Sequence, residues 1–155
     1  MEIAMRPPVI MTDLLEEWRK DSIVDGTEPG KEIIKLSSLR YKYLQILTFH
    51  NSRIKKMEMT YKNRRHVLQE YYEGNLNNKE DLEEYGFTEP FLVKTGTRSK
   101  IPMMLDSNTE LNEILVKKLQ DQEIVDVCTD VIKTLNNRSW EIRAFMDWQK
   151  FTNGK

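Results

Sequence analysis

From Arg53 to Arg65 the chain places six cations, Arg53, Lys55, Lys56, Lys62, Arg64 and Arg65, against one acid, Glu58. Lysine and arginine side chains neutralise phosphates and release the counterions bound to them, so a strip of this kind holds a nucleic-acid backbone without reading its sequence. Tyr61 lies inside the strip and Tyr71 and Tyr72 follow it. Their rings offer surfaces for unstacked bases, which suits a single strand better than a duplex. The ordinary reading of a charge run is a solvated helix face. Two features weigh against it here. Lys/Glu partners four residues apart are nearly absent, so the charges do not neutralise one another. The remainder of the chain is acidic, so composition does not explain the clustering. An acidic protein tail would fit the same strip. A membrane surface fits less well, because the strip lacks an apolar opposite face with exposed Trp or Phe.

Residue types suited to catalysis are few. His50 and His66 both fall in the same long helical interval, with no Cys or second His at ligand spacing, so no metal site is expected and each reads as a packed or surface residue. Cys128 is the one cysteine and sits at an apolar helical position, which reads as core. The stretch KTGTRSK lacks the glycine spacing of a phosphate-binding loop. Asp81, Glu83 and Glu84 read as a solvated acidic loop, not as paired catalytic carboxylates. An enzyme is therefore not expected, and neither is a cofactor.

The elements that must carry the strip follow from the punctuation of the chain. Its 155 residues hold 24 basic and 25 acidic side chains, yet the signs are segregated. Nine bases and one acid fall between Lys35 and Gln69, and seven acids and one base between Glu70 and Leu92. A small basic patch follows at Lys94, Arg98 and Lys100. Neither Gly nor Pro interrupts the chain between Gly30 and Gly74, or between Pro102 and Gly154. Each interval is one long helix or a closely joined pair. Apolar residues recur at helical steps in both: Leu36, Leu39, Tyr43, Leu47, Ile54, Met57, Tyr61, Leu68 and Tyr72 in the first, and Leu111, Ile114, Leu115, Leu119, Val125, Cys128, Ile132, Leu135, Ile142, Phe145 and Met146 in the second. Asp106, Ser107 or Asn108 is placed to cap the second.

Ahead of these, TDLLEEWRKDSIVD predicts a short helix capped by Thr12 or Asp13, with Glu16 completing a capping box if Thr12 is the cap. The pieces PFLVKTG and KIPMML predict a small β-hairpin. The fold class is mainly α: two long helices joined by an irregular middle segment, in one structural domain. Residues 1–74 form its N-terminal helical region with the basic helix, 75–106 its acidic loop and hairpin, and 107–155 its C-terminal long helix.

Two long helices cannot bury their stripes unaided, so self-association is expected. Trp140, Phe145, Trp148 and Phe151 crowd the last sixteen residues. Ile132, Leu135, Trp140, Ile142, Phe145 and Trp148 are the candidate oligomerisation residues. No apolar run reaches membrane-spanning length, no signal-peptide layout opens the chain, and a single cysteine fits a reducing cytosol.

In order and spacing, WRKDSIVD, KLSSLRYKYL…FHNSRIKK…EYYEG and NNRSWEIRAFMDWQKF resemble the UvsY family of recombination mediators of large tailed bacteriophages. The resemblance implies a non-enzymatic protein of the host cytoplasm that forms a homo-hexameric or homo-heptameric ring and binds single-stranded DNA. It implies two partners besides DNA: a RecA-like phage recombinase, which it helps to load, and the phage single-strand-binding protein that covers the strand. The family's DNA-binding cations lie on the helix leading into the tyrosine pair, which here offers Lys62, Arg64 and Arg65. This chain departs just before the pair, where His66 and Leu68 stand in place of a more basic pattern. The competing reading is a helical homo-oligomeric scaffold with a basic protein-docking face.

Overall fold

A computed structural model describes residues 6–154. Five helices follow in order: α1 (Met11–Asp21), α2 (Pro29–Tyr72), α3 (Lys79–Glu84), α4 (Thr97–Asp106) and α5 (Thr109–Asn153). The first long interval is thus a single helix, whereas the second opens with the end of α4 and continues, after a break at Ser107 and Asn108, as α5. Helix α2, with 44 residues, runs for about 66 Å at 1.5 Å per residue. The chain divides into two compact units. The first combines Met1–Arg53 with Gln120–Lys155, and the second is Ile54–Leu119. Both long helices contribute to each.

In the first unit, α1 lays Leu14 into a core made with Leu36, Leu39, Tyr43 and Ile46 of α2 and Ile124, Cys128, Val131, Leu135 and Ile142 of α5. Burial pushes the Cys128 thiol up to about 11, so it is an inert core residue. The Tyr43 hydroxyl donates to Asp21 Oδ2 at 2.9 Å, and Lys42 Nζ reaches Asp21 at 2.7 Å and Glu17 at 2.9 Å. Burial, and then the Asp21 carboxylate, raise the Tyr43 phenol well above its ordinary value. The expected cap of α1 is absent. Ile10 occupies the N-cap position with no side-chain bond, so Thr12 and Asp13 lie inside the first turn, and Glu16 pairs with Arg19 at 2.8 Å.

The second unit has a smaller core, Leu68, Ile101, Leu105 and Leu111, with Tyr61, Tyr72 and Phe87 against it. Gly74 ends α2 with φ 79°, and the Asn75 N–H donates back to the Glu70 carbonyl at 3.0 Å. A β-carbon at Gly74 would approach the Val93 side chain to 2.7 Å, so both backbone and space require glycine. Two expectations for the middle segment are corrected. The acidic stretch is not a loop but helix α3, capped by Asn78, whose side chain accepts the Glu80 N–H at 3.2 Å. No strand occurs among the described residues, and KIPMML lies in α4, not in a hairpin. The reason is spacing: Ile101 and Leu105, four apart, both reach the core from one helical face. Pro102 within α4 lacks the N–H that would bond the Arg98 carbonyl, a cost the helix carries because those two burials offset it. Asn108 is the cap of α5, accepting the Leu111 N–H at 3.0 Å.

Candidate nucleic-acid interface

The basic strip lies on α2, and the helical period sorts its six cations. Ile54 and Leu68 face inward and are buried, with Met57 and Tyr61 half-buried beside them. Lys55, Lys56 and Lys62 therefore point outward, are exposed, and have no carboxylate within 4 Å among the described residues. Met59, also exposed, stands among them. Glu58, the strip's lone acid, is taken by Lys118 at 2.8 Å. That bond, helped by Lys118's charge and by Lys62 and Lys55, holds the Glu58 carboxyl below the usual carboxylate range. Since Lys118 cancels Glu58, three lysine charges remain uncompensated.

The arginines behave differently. Arg53 belongs to the first unit, where its Nε lies 3.1 Å from Asp121 Oδ2. The approach is off the hydrogen-bonding direction, so Oδ2 has an ionic neighbour but no directed bond. Asp121 Oδ1 takes the Nδ1 proton of His50 at 3.0 Å, and His50 Nε2 accepts the Val9 N–H at 3.3 Å. His50 is fully buried and Asp121 only 4% exposed. His50 is thus a packed residue with both nitrogens used, and His66 is exposed on α2. Arg64 turns inward, its side chain 22% exposed, with Nε 2.9 and 3.0 Å from the two Glu110 oxygens. Its Nη1 donates to the Tyr85 carbonyl at 2.9 Å, and its guanidinium lies over Phe87. Arg65 has only a loose 3.5 Å contact with Asp106.

None of the three tyrosines is an open platform in this chain. Tyr61 and Tyr72 are half-buried against the second core. Tyr71 is stacked face to face on Phe87, with ring centroids 3.8 Å apart, and its hydroxyl donates to the Glu89 carbonyl.

The C-terminal candidates divide as well. Leu135 and Ile142 are buried in the first core and Ile132 packs against it, so they hold the chain to itself. Trp140, Trp148 and Phe151 are 69%, 61% and 86% exposed, and Phe145 is partly so. The reasoning from sequence missed Asp121. Its one signal is an acid set among apolar residues at helical spacing, which also describes many surface acids.

A family model described as "Recombination, repair and ssDNA binding protein UvsY" matches residues 17–155. The chain belongs to the UvsY family. It also shares the fold of the crystal structure of the bacteriophage T4 recombination mediator protein UvsY, with a TM-score of 0.78 over 94% of this chain and 98% of that one, at 19% identity. Comparison with curated proteins by sequence finds no match. Membership in the UvsY family assigns the chain to recombination, repair and single-stranded-DNA binding, a description of binding that names no reaction. Among the described residues, this UvsY-family chain has no helix long and apolar enough to cross a membrane and no cluster of three potential metal ligands.

Proposed function

We propose that the chain is a recombination mediator that gathers single-stranded DNA on the outward face of α2 and helps load a RecA-like phage recombinase in the host cytoplasm. The observation that carries this reading is the set Lys55, Lys56 and Lys62, exposed and unpaired among the described residues within a family of single-stranded-DNA-binding proteins. One protomer offers few phosphate contacts. A ring of six or seven copies would multiply them through effective concentration. The exposed Trp140, Phe145 and Trp148 are the residues we assign to contacts between copies, supported from beneath by Ile132, Leu135 and Ile142. A strand held by many weak contacts can be surrendered stepwise, which a protein standing between a single-strand-binding protein and a recombinase requires. Of the six strip cations, Arg64 and Arg53 are assigned to folding contacts, and Arg65 is kept as a DNA contact beside the lysines.

The test is binding to a fluorescent oligothymidylate of a few tens of nucleotides across a salt series. Each single-strand phosphate contact contributes about 0.7 to the log–log slope, so substituting Lys55, Lys56 and Lys62 together by Ala should lower the slope by about 2. Helicity and assembly size should be unchanged. An unaltered slope would overturn the assignment, and assembly without DNA binding at any salt would favour a scaffold.

A further inference from the structure

The second unit contains a notch of about 420 Å³ that the lysine face does not account for. Its walls are two helical ridges. Arg65, Gln69 and Glu73 recur every four residues on α2, and Arg98, Ile101, Pro102 and Leu105 share one face of α4. Ile101 and Leu105 are buried beneath it, so its floor is apolar and fixed by the core. Arg98 is exposed and has no carboxylate within 4 Å among the described residues. Arg65 touches only Asp106, at 3.5 Å, an exposed pair that binds weakly and exchanges readily. That contact places Arg65 toward the C-terminal end of α4. Arg98 lies eight residues before Asp106, about 12 Å along the helix.

We infer that this notch seats a step of the single-stranded DNA backbone, with Arg65 and Arg98 each taking a phosphodiester and the Ile101–Pro102 floor meeting the sugar or base between them. Two guanidiniums in one mainly polar notch, over a small apolar floor, suit successive charged parts of a nucleotide chain better than a single small anion. Glu73 is the notch's one acid. Its two carboxylate oxygens accept from the Gln69 amide at 3.1 Å and the Asn75 amide at 3.4 Å, which fixes the carboxylate in place without cancelling its charge. The inference rests on the single-stranded-DNA reading above. It gives a role to the α4 patch, and it supplies cations near the point where His66 and Leu68 leave α2 without them.

Arg98→Ala should weaken oligothymidylate binding about fivefold and lower the salt slope by about 0.7, while Lys100→Ala, an equal loss of charge on α4 outside the notch, should change affinity less than twofold. Glu73→Gln should tighten binding. Circular dichroism and sedimentation of each variant should match the parent. Equal losses from Arg98→Ala and Lys100→Ala would mean a diffuse field and would overturn the notch. A silent Arg98→Ala beside a crippled Lys55, Lys56 and Lys62 triple variant would overturn the notch alone. A parent chain that ignores DNA at every salt would remove both readings.

Discussion

The two units are built from the same pair of long helices and use polar groups in opposite ways. The first takes them inside: His50 and Asp121 are buried together, and Tyr43 reaches Asp21 from within the core. Its exposed surface at the end of α5 is aromatic. The second unit keeps its core apolar and small and carries its charge outward on Lys55, Lys56, Lys62 and Arg98. Buried polar groups constrain geometry, because any missing partner leaves an unsatisfied group. Exposed lysines constrain little and remain free to meet a ligand. Substitutions at polar positions should therefore damage stability in the first unit and binding in the second.

The largest effect is expected at Asp121. Asp121→Ala leaves the fully buried His50 Nδ1–H without its acceptor and removes the ionic neighbour of the part-exposed Arg53 guanidinium. Removing one partner of a buried pair costs about 3 kcal/mol. The urea midpoint should fall accordingly, at constant protein concentration so that self-association is held fixed. An unchanged midpoint would break the contrast at its strongest point.

A smaller loss is expected from Tyr43→Phe, about 1.5 kcal/mol at neutral pH for a buried bond to a carboxylate. The pH dependence carries a sign. An unfolded phenol ionises near pH 10, whereas the folded one resists because burial, and then Asp21, raise it. The unfolded state thus releases a proton that the native state keeps, and stability falls as pH rises beyond about 10. The variant should lose that part of the alkaline decline. It should retain the part due to Cys128, which begins near pH 9 and runs to about 11. Parallel alkaline curves for the two proteins would contradict the buried role of Tyr43.

How far these roles could be read in advance depends on whether a residue's partner is local. The long helical intervals, the inward stripe through Leu36, Leu39, Ile54 and Leu68, and the core position of Cys128 follow from period and composition, and the structure agrees. Whether each interval was one helix or two, and whether His50 was packed or on the surface, the sequence left open. The hairpin reading failed because Ile101 and Leu105 answer to Leu68 and Leu111, which lie far away in sequence. Capping at Thr12 or Asp13 failed because the helix begins earlier, at Met11 with Ile10 as its N-cap, which puts both residues inside the first turn. In the strip, charge was legible but availability was not. Arg64 and Lys62 look alike in the sequence, and only Glu110, Tyr85 and Phe87 show that Arg64 is a tie between elements. The crowding of Trp140, Trp148 and Phe151 was visible in the sequence; their exposure was not. Their exposure follows because α5 turns its Leu135 and Ile142 side to the core.

The smallest effect is expected at Glu58, and it sharpens the comparison from the other side. Glu58→Gln removes the strip's one negative charge yet keeps an oxygen for Lys118. A partly exposed ion pair contributes little to stability, so the urea midpoint should not move. DNA affinity should rise by about twofold at low salt, and the gain should vanish at high salt as screening shortens the field. Lys118 holds the carboxyl below its ordinary range, so Glu58 keeps its charge to lower pH than a free glutamate does. The ratio of variant to parent affinity should accordingly persist to lower pH than a free glutamate would allow, and collapse once the parent's carboxyl is neutral as well. A ratio that declines over the same pH range as a free glutamate titrates would mean that Lys118 does not engage Glu58 in solution. The acid would then be free to compete with DNA for Lys55 and Lys62, and the strip would carry less uncompensated charge than the three-lysine face requires.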